Sequence, residues 1–387
     1  MKDKKKVVSL LLCGCLCFAV GCGEGGGNEG DNSWTPIVLQ NVEKAKNVIL
    51  FIGDGMGPEQ IQAGEVYSGE SLCMQQFPYH TFVNTESLSG TTDSAASATA
   101  LSTGVRTTNG YVGKDVYKQD LQTIVDIAKA KGMATGIIAT EPLSGATPMA
   151  FAAHSESRNN TDALLESAAQ SGVNLFLGDD FSLANARVFT DAGYTLVEYL
   201  DDVSKSADSY LLGVYSVSAD APSQSADISE TAFDRLVLEA LDYLSQWEEG
   251  FFLMAEGSHI DHGGHANDMS YMLSELLAFD TGIKAVLKWA ENRNDTVVIV
   301  TADHETGGLN FNEETATKNN LFDMTSYDSG MTYVYEHFQW TTQGHTATEV
   351  SCYINGANVD FEEYSSYGTA ERIKNIDIFQ IMKDLIS

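Results

Sequence analysis

The feature that most constrains the fold is a series of short, almost continuously apolar segments along the chain. They are shorter than typical helices and lack the alternation of a half-exposed strand. They therefore predict strands that are buried on both faces of a parallel sheet. The predicted strands are residues 48–52, 134–139, 173–177, 251–255, 297–301 and 350–354.

Helical patterns alternate with these segments, at residues 121–131, 162–170, 230–247, 269–289 and 376–385. This alternation favours an α/β architecture in which helices sandwich a mostly parallel central sheet. Two stretches, residues 179–228 and 306–344, are polar and weakly periodic. We interpret them as small surface insertions rather than as a second domain.

The N-terminal 22 residues have the pattern of a secretory signal. Lysines precede an apolar stretch, residues 7–20, that is too short to span a bilayer comfortably. The segment "AVGC" at 19–22 is typical of a bacterial lipoprotein cleavage site and makes Cys22 the predicted lipidation site; a plain signal peptide, or cleavage at Cys15, is the alternative. We expect an exported protein, periplasmic or at the cell surface and anchored by lipid, with residues 23–44 as a flexible acidic tether and residues 45–387 as one domain.

The net charge of −32 limits the classes of partner. Nucleic-acid binding requires basic surface, so a nucleic-acid partner is not expected. An anionic substrate is repelled as well, unless bound cations reverse the local field. Cys73 and Cys352 are the only cysteines of the predicted domain, and an exported location leaves open whether they form a disulfide.

Polar clusters follow three of the predicted strands. Ligands of open α/β sheets bind outside the carboxyl ends of the strands, so these clusters are expected to converge on one edge. Carboxylate and imidazole groups are typical zinc ligands, and an all-oxygen set suits magnesium. The clustered residues are Asp54 after the first strand, Glu256, Asp261, His262 and His265 after the fourth, and Asp303 and His304 after the fifth.

A fourth segment, "TTDSAASATA" at 91–100, consists of Thr, Ser and Ala except for Asp93. Alanine favours a helix, and we predict one that begins at Ser94 and continues through residue 101. A helix N-terminus favours negative charge. Small side chains also allow this helix to approach metals and phosphate closely, so we interpret Ser94 as a reactive hydroxyl rather than as part of a filler segment.

Together these motifs resemble the alkaline phosphatase family. The matching segments occur in the family's order: "GDGMG" at 53–57, "TDSAASATALSTGVRT" at 92–107, "GATPMAFAAHSESR" at 145–158, "EGSHIDHGGH" at 256–265, "TADHETGG" at 301–308 and "GHTA" at 344–347. The resemblance implies an alkaline-phosphatase-like fold, with residues 45–387 as the catalytic domain.

The resemblance also implies a role for each matching residue. Ser94 matches the nucleophile that becomes phosphorylated, and Arg158 matches the guanidinium that grips phosphate. Asp93 either orients Arg158 or caps the helix, and His262 either steadies phosphate through water or faces solvent. The implied metal ligands are Asp54, Asp303 and His304 for one zinc, Asp261, His265 and His345 for the second zinc, and Thr147, Glu256 and the shared Asp54 for magnesium.

One position departs from the family pattern. The residue that matches Gly145 is often Asp or His in relatives, where it supports the magnesium shell. Glycine offers no side chain, which leaves the identity of the third metal open. His154 and His259 are expected to have structural roles.

The activity implied by the resemblance is hydrolysis of phosphate monoesters to an alcohol and inorganic phosphate. It would proceed through a phosphoserine intermediate and use two zinc ions and one magnesium ion. Two alternatives are a phosphodiesterase of the same superfamily and a non-catalytic phosphate- or metal-binding surface lipoprotein. Arg158 favours monoesters over diesters. A non-catalytic protein would require the loss of a key catalytic residue, and none is lost. Family members are often homodimers, although no interface can be read from the sequence.

Overall fold

A ten-stranded sheet forms the centre of the protein. The computed structural model describes residues 35–179, 183–214, 232–312 and 327–386. Residues 36–387 cluster into one unit. The predicted signal, Cys22 and most of the predicted tether lie outside the described residues.

Each of the six predicted apolar runs overlaps a strand, and the described residues contain further strands that the sequence analysis did not predict. The strands are β1 (Asn47–Gly53), β2 (Tyr79–Asn84), β3 (Ala134–Pro142), β4 (Leu175–Asp179), β5 (Thr195–Val197), β6 (Leu211–Val214), β7 (Phe251–Gly257), β8 (Thr296–Thr301), β9 (Glu305–Thr306), β10 (Asn310–Phe311), β11 (Phe338–Gln339), β12 (His345–Thr346), β13 (Val350–Asn355) and β14 (Arg372–Lys374).

Helices pack on both sides of the sheet. They are α1 (Pro58–Ser68), α2 (Ser94–Thr103), α3 (Ile124–Ala130), α4 (Ala146–Met149), α5 (Thr161–Ala169), α6 (Leu183–Asp191), α7 (Ala232–Leu244), α8 (His259–Ala266), α9 (Met269–Ala290), α10 (Tyr327–His337), α11 (Phe361–Tyr364) and α12 (Asn375–Leu385), with short 3₁₀ turns at Cys73–Gln76 and Leu200–Asp202.

The order of strands across the sheet is β14-β2-β13-β8-β1-β7-β3-β4-β6-β5. Strand β13 runs antiparallel to both of its neighbours, and the remaining pairs are parallel. Strands β1, β7 and β8 are buried along their whole length, as expected for parallel strands covered on both faces. The predicted α/β fold with a mostly parallel sheet is confirmed.

The largest error of the sequence analysis concerns residues 179–228, which were expected to be surface insertions. Helix α6 and strands β5 and β6 lie in this stretch, and both strands extend the central sheet. The two strands are only three and four residues long, and β5 is partly exposed, so their apolar runs were too short to detect. Residues 215–231 and 313–326 lie outside the described residues.

Local capping explains smaller shifts in the element bounds. Helix α3 begins three residues later than predicted because the Thr123 side chain accepts a hydrogen bond from Asp126 N, while the Asp126 carboxylate accepts one from Thr123 N. This reciprocal arrangement satisfies backbone donors that a helix start leaves open. Helices α2 and α12 begin at or beside the predicted residues.

The two cysteines of the domain do not pair. Cys73 and Cys352 are both buried as free thiols, so the disulfide that the sequence left open is absent. Within the described ranges, no helix is both long and apolar enough to cross a membrane.

Candidate metal centre and nucleophile

The carboxyl ends of three neighbouring strands bring the predicted ligands together. In the register of the sheet, Ile52 of β1 lies opposite Glu256 of β7 and Thr301 of β8. Asp54 and Asp303 follow within two residues of these positions. The sheet thus places carboxylates from all three strands at one edge, where α/β proteins bind ligands.

A left-handed glycine makes the turn after β1 possible. Gly55 has φ of +74°, and a Cβ at this position would lie 2.7 Å from the Cα of Asp261. Its backbone N–H donates to Asp303 Oδ1 at 3.2 Å. The turn therefore requires glycine both for its conformation and for the close approach of α8.

Ser94 lies at the start of α2, as predicted, and is only 4% exposed. Its Oγ lies 3.2 Å from His304 Nε2. Ser97, one turn further along, donates to the backbone carbonyl of Asp303 at 2.7 Å. Every residue of α2 is buried, so the small side chains do allow the helix to approach the strand ends closely.

The first candidate metal group contains Asp54, Asp303 and His304, whose ligand atoms all lie within 4.8 Å of one another. His304 Nε2 is 3.2 Å from Asp303 Oδ2 and 3.5 Å from Asp54 Oδ1. All three side chains are buried. The sequence analysis predicted this set as the ligands of one zinc.

The second candidate group contains Asp261, His304 and His345. His265 joins it, because its Nε2 lies 3.3 Å from Asp261 Oδ2 and 3.2 Å from His345 Nε2. Asp261 and His265 are four residues apart on α8, which puts them on one face of the helix. The rings of His304 and His345 stack at 3.5 Å between centroids, so the two groups adjoin.

Thr306 orients ligands of both groups and was missed by the sequence analysis. Its hydroxyl donates to Asp261 Oδ1 and lies 3.2 Å from His304 Nδ1. His345 is oriented in the same way, with Nδ1 3.0 Å from the carbonyl of Thr92. Such outer partners fix which imidazole nitrogen faces a metal. Only the "TADHETGG" motif pointed to Thr306, and a motif does not tell a ligand from its supporting residue.

A third region contains buried side-chain oxygens that lack hydrogen-bond partners. Glu256 and Thr147 are 0% exposed, and Ser258 is 1% exposed. Both carboxylate oxygens of Glu256, Thr147 Oγ1 and Ser258 Oγ have no hydrogen-bond partner. Burial raises the pKa of Glu256, and the two nearby hydroxyls oppose this rise, although neither makes a hydrogen bond of normal geometry.

Burial and mutual repulsion raise the pKa of several buried carboxylates in the site. The pKa of Asp54 is raised well above its usual value, mainly by burial and secondly by repulsion from Asp303. The pKa of Asp303 is raised to about 6, mainly by burial and secondly by repulsion from Asp261. The pKa of His304 is lowered, mainly by burial and secondly by the charge interaction with the neighbouring His345. Neutral imidazole is the form that binds metals.

Glu141 belongs to the same acidic region but was not recognised in the sequence. Burial is the main reason that its pKa rises to about 7, with Asp261 and Asp303 adding to the rise and Arg158 opposing it. Burial, followed by repulsion from Glu141, raises the pKa of Glu256 well above its usual value. No motif includes Glu141, since it lies four residues before "GATP", at the end of β3.

Asp93 makes both of the contacts that the sequence left open. Its Oδ1 accepts a hydrogen bond from Ala96 N at 3.0 Å and caps α2. Its Oδ2 accepts one from Gly110 N at 2.9 Å and lies 3.5 Å from Arg158 Nη1. Asp93 therefore links the start of the nucleophile helix to the Arg158 side chain, which is about one third exposed.

The remaining histidines of the predicted region lie around the site. His262 is exposed on α8, with its ring 5.0 Å from that of His259, and burial of part of the ring lowers its pKa. His259 Nδ1 lies 3.7 Å from Glu275 Oε2. His154 Nε2 lies 2.9 Å from the carbonyl of Leu121, away from the ligand groups.

The donor chemistry of the site fits bound cations. Carboxylates and imidazoles suit zinc, and an all-oxygen set suits magnesium. Buried carboxylates that repel each other and lack hydrogen bonds are costly unless a cation compensates for them. Asp54 Oδ1, Asp303 Oδ2 and both oxygens of Glu256 are buried without a hydrogen bond.

The fold and the site thus define a metal-binding α/β protein with a buried serine at the start of a helix, beside two carboxylate–histidine groups. More specifically, the chain belongs to the alkaline phosphatase family, whose family model matches residues 45–193 and 185–369. The family resemblance of the sequence motifs is confirmed.

Individual relatives agree with this assignment. Alkaline phosphatase 4 of Bacillus subtilis (strain 168) is 33% identical over 309 residues, which are 70% of this chain and 66% of that protein; the chain thus spans about two thirds of its relative's length. The crystal structure of the cold-active alkaline phosphatase from Shewanella sp. superposes with a TM-score of 0.73 at 28% identity, covering 88% of this chain and 100% of that one.

A third relative is informative about metals. It is a histidine-to-glutamate variant of the alkaline phosphatase from the Antarctic bacterium TAB5, with Mg bound in its M3 site. It superposes with a TM-score of 0.71 at 26% identity, covering 89% of this chain and 99% of that one.

Proposed function

We propose that the protein is an alkaline phosphatase that hydrolyses phosphate monoesters to an alcohol and inorganic phosphate. The observation that carries the proposal is the position of Ser94. Its Oγ lies at the N-terminus of α2 and 3.2 Å from His304 Nε2, where the two candidate metal groups meet. Family membership and the alkaline phosphatase relatives support the same activity.

Ser94 acts as the nucleophile. Its Oγ forms a bond to phosphorus while the ester oxygen departs, which leaves a phosphoserine and an alcohol. Water then attacks the phosphoserine and releases inorganic phosphate and the serine hydroxyl. The helix N-terminus favours the negative charge of the phosphoryl group in both steps. Two successive in-line displacements predict retention of configuration at phosphorus.

Two zinc ions and one magnesium ion complete the site in this proposal. Bound metals lower the pKa of a coordinated hydroxyl or water and stabilise a leaving oxygen. Asp54, Asp303 and His304 hold the first zinc, and Asp261, His265 and His345 hold the second. Thr147 and Glu256, with Asp54 shared, hold the magnesium.

Arg158 binds the phosphoryl group. A guanidinium forms a planar fork that can donate to two phosphoryl oxygens at once. Asp93 holds this fork from one side through its Oδ2, 3.5 Å from Arg158 Nη1. His262 is exposed on the helix that carries Asp261, and we place it at the rim, where it contacts phosphate through water.

The location and assembly of the protein are also part of the proposal. The N-terminal pattern supports export and lipid attachment at Cys22, with the domain in the periplasm or at the cell surface. Family membership supports a homodimer. Mass analysis of the mature N-terminus tests the anchor, and an unmodified residue 22 there would exclude it.

The direct test of the function compares the turnover of an aryl phosphate monoester, the corresponding diester and an aryl sulfate. We expect turnover of the monoester to exceed turnover of the other two by ~10³-fold or more, since the diester and the sulfate each carry one negative charge instead of two and the diester offers one non-bridging oxygen fewer. Replacement of Ser94 by Ala should remove the nucleophile and lower kcat by ~10³-fold or more. Diester preference would favour a phosphodiesterase, and no turnover with all three would favour a binding protein.

A further inference from the structure

The turn that follows β3 brings position 145 back over the side chain of Glu141. Gly145 N donates to the carbonyl of Pro142 at 2.8 Å, which closes a four-residue turn. A Cβ at position 145 would lie 1.8 Å from Glu141 Oε1 and 2.6 Å from its carboxyl carbon. No side chain at 145 can coexist with Glu141 in this position, so the glycine leaves room for the carboxylate.

Unpaired oxygen atoms lie close to this carboxylate. Ala139 of β3 pairs with Glu256 of β7 in the sheet, so Glu141 lies two residues beyond the partner of Glu256. Thr147 is the second residue of α4, the helix that follows the turn. Glu256 and Thr147 are 0% exposed, and neither has a hydrogen bond to satisfy its side-chain oxygens. Buried oxygens without partners are rare and indicate a bound group between them.

We propose that Glu141 binds the water shell of the third metal, from the space that Gly145 leaves open. The inference rests on the proposed function, since it assigns one more residue to the magnesium site of that proposal. Glu141 is a positioning residue here, because it acts on the metal through water.

The spacing of the carboxylates supports contact through water rather than direct ligation. Among the described residues, Glu141 does not form a group of three carboxylate or imidazole ligands within 4.8 Å with the carboxylates of Asp54 and Glu256. Magnesium usually keeps several waters and takes only one or two carboxylates directly. A carboxylate one water layer away accepts hydrogen bonds from that shell and adds negative charge.

The alternative role for Glu141 is an ion pair with Arg158. The charge of Arg158 opposes the rise in the pKa of Glu141 that burial causes. The Arg158 guanidinium lies 3.5 Å from Asp93, and no ion pair within 4.0 Å joins it to Glu141. The two roles differ in what a substitution changes. The metal role predicts a loss of magnesium affinity, and the ion-pair role predicts a loss of phosphate affinity.

The test measures magnesium uptake by the zinc-loaded protein, with calorimetry for affinity and elemental analysis for stoichiometry. We expect Glu141→Gln to weaken magnesium binding by ~10–100-fold, as is typical of outer-shell partners, with zinc content and phosphate affinity unchanged. Glu249→Gln is the matched control, because Glu249 is exposed and precedes β7 at the opposite edge of the sheet. It should bind magnesium like the wild type.

A side-chain exchange tests the shared space. Gly145→Ala should displace Glu141 and weaken magnesium binding, whereas Glu141→Ala combined with Gly145→Asp should restore it to within a few-fold of the wild type. Magnesium affinity in Glu141→Gln within twofold of the wild type would overturn the inference alone. A wild type that takes up no magnesium beyond zinc would overturn the proposed metal set as well. Normal uptake without monoester turnover would overturn only the proposed activity.

Discussion

The site has two regions that differ in how many of their candidate ligands are held in place by hydrogen bonds within the protein. The two-zinc region, named for the ions that we propose it binds, mixes carboxylates with imidazoles; it is formed by Asp54, Asp303, His304, Asp261, His265 and His345. The third-metal region, formed by Glu141, Thr147, Glu256 and Ser258, contains no cationic or imidazole group. Its buried oxygens on Thr147, Glu256 and Ser258 have no hydrogen-bond partner.

This difference shows what each region requires from its metal. In the two-zinc region, hydrogen bonds from Thr306 and from the backbone of Gly55 already fix Asp261 and Asp303. In the third-metal region, we expect a bound ion to take the same role, because neither carboxylate oxygen of Glu256 has a hydrogen-bond partner. We therefore expect the first region to determine the rate and the second to respond more strongly to metal removal and pH.

The largest expected effect is the loss of His304, the residue that both candidate metal groups contain. His304→Ala should lower kcat/KM by ~10³-fold or more, because a ligand next to Ser94 is removed. Zinc content should fall by at least one ion per chain. Elemental analysis and monoester kinetics measure the two quantities on the same sample.

His337→Ala provides the control for this variant. His337 is also a buried histidine, with its Nδ1 2.9 Å from the carbonyl of Tyr333 in α10. The control should keep its zinc and its rate even if its melting temperature falls. Equal loss of activity in both variants would mean that the loss comes from a buried histidine's packing rather than from metal binding.

A smaller effect is expected for Arg158, which lies beside both regions but belongs to neither ligand set. Arg158→Ala should weaken inhibition by inorganic phosphate by ~10–100-fold, since charge-assisted bidentate bonds are lost. Zinc and magnesium contents should not change. Arg187→Ala is the control, because Arg187 pairs with Asp191 on an exposed face of α6. Equal loss of metal and phosphate in Arg158→Ala would contradict the separation of roles.

The sequence predicted which residues cluster in the two-zinc region better than it predicted which residues surround Glu256. Asp54, Asp261 and Asp303 each follow an apolar strand, and the carboxyl ends of neighbouring parallel strands meet at one edge. His345 lies far along the chain, and only the resemblance of its motif assigned it.

Glu141 and Thr306 could not be predicted in the same way. Glu141 follows an apolar strand too, but its proximity to Gly145 depends on a turn whose geometry no pattern encodes. Thr306 is one polar residue in a polar stretch. The same limit explains β5 and β6, since strands of three and four residues carry too few apolar positions to identify them.

The smallest expected effect is a change in the pH dependence of stability when metals are removed. Glu141 has a pKa of about 7 and Asp303 one of about 6 in the folded protein, against about 4 for carboxyls in an unfolded chain. The folded form therefore holds protons that the unfolded form has released. The free energy of unfolding of the metal-free protein should decrease as pH rises from about 4 to about 7, and its melting temperature should fall by several degrees.

Two comparisons test whether the uncompensated carboxylates of the site cause this effect. With zinc and magnesium bound, the decrease should become smaller, because the cations stabilise the ionised carboxylates. In the metal-free protein, Glu256→Gln should raise the melting temperature at pH 8 above that of the wild type, because a buried charge without a hydrogen-bond partner is removed. Thermal unfolding followed by circular dichroism at pH 5 and pH 8 measures all of these. A metal-free protein whose melting temperature rises with pH across this window would show that these carboxylates are compensated without metal, and the contrast between the two regions would be wrong.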